Sequence, residues 1–165
     1  EIPKRDWSSD VCSSDLSYSR GHNDSGVIGG LDLGRFRTSL YGGDATIRWK
    51  PLQRSIYHSF IGRSEFIWSQ RQQPGGVQKS KGYYLSADYQ FARRWLVGGR
   101  YDRADRADNA SQQDKGGAFT LTFLPSEFTQ LRTQYRRTQY DGGQKADELL
   151  MQLQFAIGAH GAHPF

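Results

Sequence analysis

The chain has 165 residues, enough for one domain, of which 24% are charged, with a formal net charge of +5 and a mean hydropathy of −0.76. The single cysteine, Cys12, excludes a disulfide framework and a thiolate metal site, and no apolar run reaches the roughly 18 residues that a membrane helix needs. The low hydropathy leaves membrane-crossing strands open, because only every second residue of such a strand need be apolar.

Residues 1–16 (EIPKRDWSSDVCSSDL) have no apolar period and match nothing after them. They resemble the read-through translation of a sequencing adapter, with a Ser/Asp-rich linker as the alternative, and are set apart from the fold argument. They hold Lys4 and Arg5 against Glu1, Asp6, Asp10 and Asp15, so the remainder is more basic than the whole chain. It is also free of cysteine, which suits a protein crossing an oxidising periplasm. On this reading the native N-terminus lies upstream, and the lack of a visible signal peptide says nothing about export.

From residue 17 onward helical spacing is nearly absent and period-two alternation is nearly everywhere, which predicts strands. Seven are expected, at 38–50, 55–69, 81–91, 94–103, 117–124, 129–139 and 147–158, with a weaker one through 13–20. Segment 21–37 reads as a long outer loop with room for a short helix. The joins alternate in length: short turns at 51–54, 92–93 and 125–128, and longer polar loops at 70–80, 104–116 and 140–146. Short turns on one side and long loops on the other are expected of outer-membrane barrels. The Gly-Gly pairs at 75–76, 116–117 and 142–143 fall where positive φ is useful, and those at 42–43 and 98–99 fall inside strands as candidate bends or bulges.

Each strand has two faces. Tyr83, Leu85, Ala87, Tyr89 and Phe91 oppose Tyr84, Ser86, Asp88 and Gln90; Trp95, Val97 and Tyr101 oppose Arg100 and Asp102. Tyr41, Ala45, Ile47 and Trp49 oppose Asp44, Thr46 and Arg48, and Phe119, Leu121 and Phe123 oppose Thr120 and Thr122. Leu149, Met151, Leu153, Phe155 and Ile157 oppose Gln152 and Gln154. Residues 55–69 and 129–139 alternate less cleanly, with Arg63 and Glu65 facing away from Phe66 and Trp68, and Arg132 and Arg136 facing away from Leu131 and Tyr135. Alternation alone does not say which face points inward: a soluble barrel buries its apolar face and a membrane barrel turns it to lipid. Three features favour the membrane. Trp49, Trp68, Phe91, Trp95, Tyr101, Phe123 and Tyr135 lie near strand ends, as interfacial aromatics do. Charges sit mid-strand on the polar face. The strands are long enough for a tilted span of about 9–11 residues.

Several stretches resemble bacterial outer-membrane barrels of the porin-like and TonB-dependent receptor-like kinds: LYGGDATIRWKP (40–51), SEFIWSQR (64–71), WLVGGRYDRAD (95–105) and FLPSEFTQLRTQYRR (123–137). Phe165 after an alternating strand resembles the C-terminal signal read by the barrel-assembly machinery, although Gly161 and His163 stand where that signal usually has apolar residues. The tail GAHGAHPF is similar to that of receptor-like barrels described as zinc-regulated. The resemblance spans most of residues 38–165. It implies an all-β, antiparallel transmembrane barrel or barrel fragment of seven to eight strands over 17–165. It also implies an outer-membrane location, passage or uptake of small solutes, and contact with membrane lipid and lipopolysaccharide. A receptor's plug domain would lie upstream of residue 17.

The candidate lumen residues are Asp44, Arg48, Arg63, Glu65, Asp88, Arg100, Asp102, Arg132 and Arg136, all on the polar face; such charges select ions or pair across strands to stiffen the wall. His160 and His163 are a candidate metal pair, two short of the four ligands of a closed zinc site. No catalytic triad is expected, because all four histidines fall in loops, in the tail or near a turn; His22 alone lies in the outer loop and His58 is expected near an interface. No phosphate-cradling glycine loop, no cofactor and no nucleic-acid fold is read. Arg71, Lys79, Lys81, Arg103, Arg106 and Lys115 are loop cations able to contact lipopolysaccharide or simply to be solvated. The expectation is therefore a transport barrel and not an enzyme. The alternatives are a small structural or adhesion barrel and a soluble ligand-binding barrel.

Overall fold

The computed structural model describes residues 11–22, 27–28, 31–32, 35–51, 54, 56–106, 109–126 and 128–156. Among the described residues there are ten antiparallel strands: β1 (Val11–His22), β2 (Val27–Ile28), β3 (Leu31–Asp32), β4 (Arg37–Trp49), β5 (Ser59–Gln73), β6 (Gly76–Ala92), β7 (Trp95–Asp105), β8 (Gln113–Ser126), β9 (Thr129–Gln139) and β10 (Lys145–Phe155). Eight of them form one up-and-down sheet in the order β1-β4-β5-β6-β7-β8-β9-β10, and β2 pairs only with β3. The sheet is not closed: β1 and β10 each have a free edge. The all-β antiparallel expectation holds, with no α-helix among the described residues.

Several boundaries differ from the sequence reading. Residues 70–80 are not a loop. β5 and β6 stay paired out to Gln73↔Gly76, because backbone hydrogen bonding does not depend on side-chain polarity and the polar run still fits the pleat. Gly76, at φ 132°, makes the tight turn. β5 in turn begins at Ser59 and not at 55. The Arg54 carbonyl accepts hydrogen bonds from the amides of both Tyr57 and His58, at 2.9 and 3.0 Å, which curls the chain away from the ladder after Pro51. The join before β5 is thus longer than expected. The remaining joins keep the asymmetry, with tight turns after β6 and β8 and longer connections after β7 and β9. β7 and β8 extend to Asp105 and Gln113, shortening the 104–116 loop.

β1 also runs through Val11–Leu16, pairing Val11↔Arg48 to His22↔Arg37; residues set apart from the fold argument thus lie on the β4 edge, which any extended segment can satisfy through its backbone. In segment 21–37 the described residues 27–28 and 31–32 form the β2–β3 ladder. Gly42-Gly43 and Gly98-Gly99 pair in regular register. The irregularities fall instead between Gln90 and Ala92 and between Phe123 and Ser126, the latter next to Pro125, which cannot donate to a ladder.

The packing is inverted relative to a water-soluble domain. No hydrophobic side chain is buried among the described residues, whereas Ser59, Gln90, Thr120, Thr122 and Thr138 are. All five lie on the polar face, so the sheet curls with that face concave. On the other face Met151 is 80% exposed, Leu149 69% and Phe119 55%. Gln90 secures the end with the tight turns, donating to the carbonyls of Ile56 and Arg93 at 3.1 and 3.2 Å and accepting from Ser59 Oγ at 3.0 Å. At the opposite end Asp114 joins two loops, taking a hydrogen bond from the Asp141 amide at 2.9 Å and pairing with Arg106 at 3.2 Å.

Gly98 shows how tightly the concave face is filled. A Cβ there would collide with the Asp88 carboxylate and the Thr120 hydroxyl. Gly98→Ala is expected to lower stability by about 1–3 kcal/mol, read as a shift in the urea midpoint of the intact folded protein. Gly99→Ala, whose Cβ would meet only a backbone oxygen at 3.9 Å, is expected to be close to neutral.

Candidate functional site on the concave polar face

Pairing registers place all nine candidate lumen residues on the polar face, and their arrangement is ordered. The row Arg63↔Ser86↔Arg100↔Ala118↔Arg136↔Glu148 crosses β5 to β10. Arginines stand on alternate strands with small residues between them. This spacing avoids like charges placed directly opposite one another, which destabilise a sheet, and Ser86 and Ala118 leave room above the strand. The next row toward the tight turns carries Asp88, Gly98, Thr120 and Gln134; the next row toward the loops carries Asp44, Glu65, Tyr84 and Asp102.

Two of these carboxylates reach the arginine row, Asp88 diagonally across strands and Asp102 along its own strand. Arg63 Nη1 donates to Asp88 Oδ2 at 3.0 Å, and Arg100 Nε donates to Asp102 Oδ1 at 3.1 Å. Arg100 also lies over the Tyr84 ring, 4.2 Å from its centroid, a cation–π contact. Arg136 stands between Asp102 and Glu148, 4.0 Å from each, and its buried Nε has no hydrogen-bond partner. Arg132, paired in register with Thr122 and Gln152, makes no ion pair among the described residues. These side chains are a quarter to a half exposed, so solvent screens the pairs and each stabilises the fold by no more than about 0.2–1 kcal/mol. Their larger effect is on the potential above the wall.

Six of the nine candidates (Arg63, Asp88, Arg100, Asp102, Arg132 and Arg136) surround one cavity of about 470 Å³, together with Tyr84, Ser86, Thr120 and Gln134. Its charged lining is four guanidiniums against two carboxylates. Glu65 lines a neighbouring cavity nearer the loops with Asp102, Asp114 and Arg136. Asp44 and Arg48 stay apart on exposed positions of β4, with Asp44 directly across from Glu65. The neutral members of the cavity were missed by a search for charge, although residue parity already assigns them to this face; what was lacking is the cross-strand register. Gly98 and Gly116 were missed as well, and each leaves the space taken by a carboxylate, Asp88 and Asp102 respectively.

The seven candidate aromatics all lie on the opposite, convex face. Trp49, Trp68, Phe91, Trp95, Tyr101 and Tyr135 are exposed, and Phe123 is half-buried against Trp95, with ring centroids 4.6 Å apart. His58 sits in the join before β5, its Nδ1 3.2 Å from the Tyr89 hydroxyl. His160, His163 and Phe165 lie outside the described residues. Among the described residues no cluster of His, Cys, Asp or Glu could hold a metal.

No family model and no solved structure matches the chain. The chain is similar to an uncharacterized protein of Aquifex aeolicus (strain VF5), 29% identical over 151 residues, which cover 78% of this chain and 31% of the relative. The chain thus spans about a third of the length of that curated relative.

Proposed function

We propose that these strands are part of the wall of an outer-membrane transport barrel, and that the concave face lines a water-filled path which favours small anionic solutes. The observation that carries this reading is the inverted packing: polar groups occupy the sheltered concave face, and large apolar side chains cover the exposed convex one. Such a sheet is stable in lipid and ill-suited to water. A soluble ligand-binding barrel would need the reverse.

Two further observations support it. The convex aromatics follow a slanted course across the sheet. Tyr41 and Trp68 share a pairing row, Tyr83 lies one row nearer the tight turns, Tyr101 one further and Tyr135 one further again. A regular slant of this kind is what tilted barrel strands produce when a girdle stays at constant depth. Second, the free edges of β1 and β10 expose backbone groups that lipid cannot satisfy. The Aquifex relative extends well beyond the matched region, and further strands of a longer chain would close the wall. The arginine excess in the cavity sets the preference for anions.

The test is reconstitution of the intact protein into planar bilayers. Ion conductance with a reversal potential favouring chloride over potassium is expected, and Asp102→Asn, which removes the carboxylate between Arg100 and Arg136, is expected to increase that preference. A folded protein that inserts and conducts nothing, or prefers cations, would overturn the transport reading.

A further inference from the structure

Two of the four guanidiniums around the polar cavity are already engaged, and two are not. Arg63 is held by Asp88 at 3.0 Å, and Arg100 by Asp102 at 3.1 Å and by the face of the Tyr84 ring. Arg132 makes no ion pair among the described residues. Arg136 stands 4.0 Å from Asp102 and 4.0 Å from Glu148, beyond the roughly 2.7–2.9 Å of a charge-assisted hydrogen bond. Its Nε is buried and has no partner. A buried charged donor left unpaired is costly, and native folds rarely keep one without a use.

The two uncommitted cations belong to one place. Both are on β9, on the same face, with Gln134 midway between them. About 13 Å of strand separates their Cα atoms, a gap that two arginine side chains close from either end with room for one small group. Gln134 pairs in register with Thr120 on β8, whose side chain is buried, and with Leu150 on β10, which offers no competing polar group. Thr120 and Gln134 are thus the floor of a seat, with Arg132 at the tight-turn end and Arg136 at the loop end, all four lining the cavity. The carboxylates nearby are accounted for. Asp88 lies over Gly98, on the far side of Thr120, and is occupied by Arg63. Asp102 is occupied by Arg100, and Glu148 faces Arg136 from just outside the cavity lining.

We infer that this seat binds a phosphate-type dianion, so that the path holds its solute at a saturable site between Arg132 and Arg136. The inference rests on the transport reading above and names the solute class. Guanidiniums reach the seat from opposite ends, and a hydroxyl and an amide rise from its floor. A tetrahedral oxyanion has oxygens for all three directions, a carboxylate has two oxygens in one plane, and chloride has no directional preference. The cavity lining carries four guanidiniums against two carboxylates, an excess of two that a dianion matches. For Arg136 the occupant replaces two long contacts by a short one. A small rotation brings its Nε onto the anion, and contacts of 4.0 Å oppose that turn weakly. Asp102 and Glu148 then act as resident competitors that reclaim Arg136 when the solute departs, and binding stays weak enough for release, as conduction requires. The seat fills only part of the 470 Å³, so the phosphate end of a small ester fits as well as the free ion.

The experiment titrates the intact protein, folded in neutral detergent with chloride in large excess, with inorganic phosphate and separately with glycerol phosphate, and follows binding by calorimetry. Bilayer conductance of the same preparation is recorded alongside, and circular dichroism checks that each variant folds. Saturable binding is expected. Arg132→Gln is expected to weaken it at least about tenfold, the loss of one hydrogen bond to a charged group. Arg48→Gln removes the same charge from the same face outside the cavity and leaves the affinity unchanged. Asp102→Asn, which takes away one competitor for Arg136, tightens binding and so tests the seat by a gain. Tighter binding of inorganic phosphate makes the free ion the occupant, tighter binding of glycerol phosphate makes it the ester, and either supports the seat. Equal weakening by Arg48→Gln and Arg132→Gln overturns it, since a diffuse field then suffices. Absence of saturable binding in a protein that conducts chloride overturns the seat and leaves the transport reading intact. Binding that depends on Arg132 in a protein that inserts and conducts nothing keeps the seat and overturns the transport reading.

Discussion

Met151→Lys is expected to destabilise the intact protein in a bilayer by about 2–4 kcal/mol, whereas Leu150→Lys, one residue away, changes stability by no more than about 1 kcal/mol. Both side chains are apolar, both are exposed and both lie on β10. Composition and strand propensity therefore predict equal effects. The faces differ. Met151 pairs with Thr133 on the convex side, between Leu149 and Leu153, in the middle of the apolar band. Leu150 pairs with Gln134 on the concave side, in the row of Thr120. A lysine at Met151 must enter lipid or bend toward the headgroups, and a lysine at Leu150 meets water within reach of Glu148. Equilibrium unfolding in urea from phosphatidylcholine vesicles measures both. Equal costs, or a larger cost at Leu150, would show that the concave face is not the wet one.

Arg132→Ala is expected to lower the anion-to-cation permeability ratio roughly three- to fivefold. A unit charge about 4 Å away in water is worth about 1 kcal/mol, which corresponds to a change of that size when nothing offsets it. Arg132 has no ion-pair partner among the described residues, and its charge stands uncompensated above the wall. Arg63→Ala is expected to lower the ratio by at least as much, because its loss also frees the Asp88 carboxylate 3.0 Å away. Reversal potentials under a potassium chloride gradient measure both variants. An unchanged ratio in the Arg132 variant would remove this wall from the selectivity-setting part of the path.

The two-faced character of the strands was legible in the sequence because side-chain direction repeats every two residues. Parity alone sorted Leu85 from Ser86 and Tyr101 from Arg100, and the pairing registers keep the nine charged candidates on one side of the sheet. Strand ends were less legible. Residues 70–80 are polar enough to read as a loop, yet their backbone groups pair as well as any others, and Ile56 and His58 alternate like a strand while Arg54 draws their segment into a turn.

Residue order and parity thus determined by themselves that the chain forms antiparallel strands with one greasy face and one charged face. Only the tertiary structure decided which face is concave, since alternation is identical in a sheet that curls either way. It also decided the register, which is not encoded within any single strand: whether arginines meet, alternate or pair with carboxylates depends on how far each strand slides past its neighbour. That sliding set Arg63, Arg100 and Arg136 on alternate strands around one cavity, and it set Arg103 opposite Lys115 on the other side of the same wall.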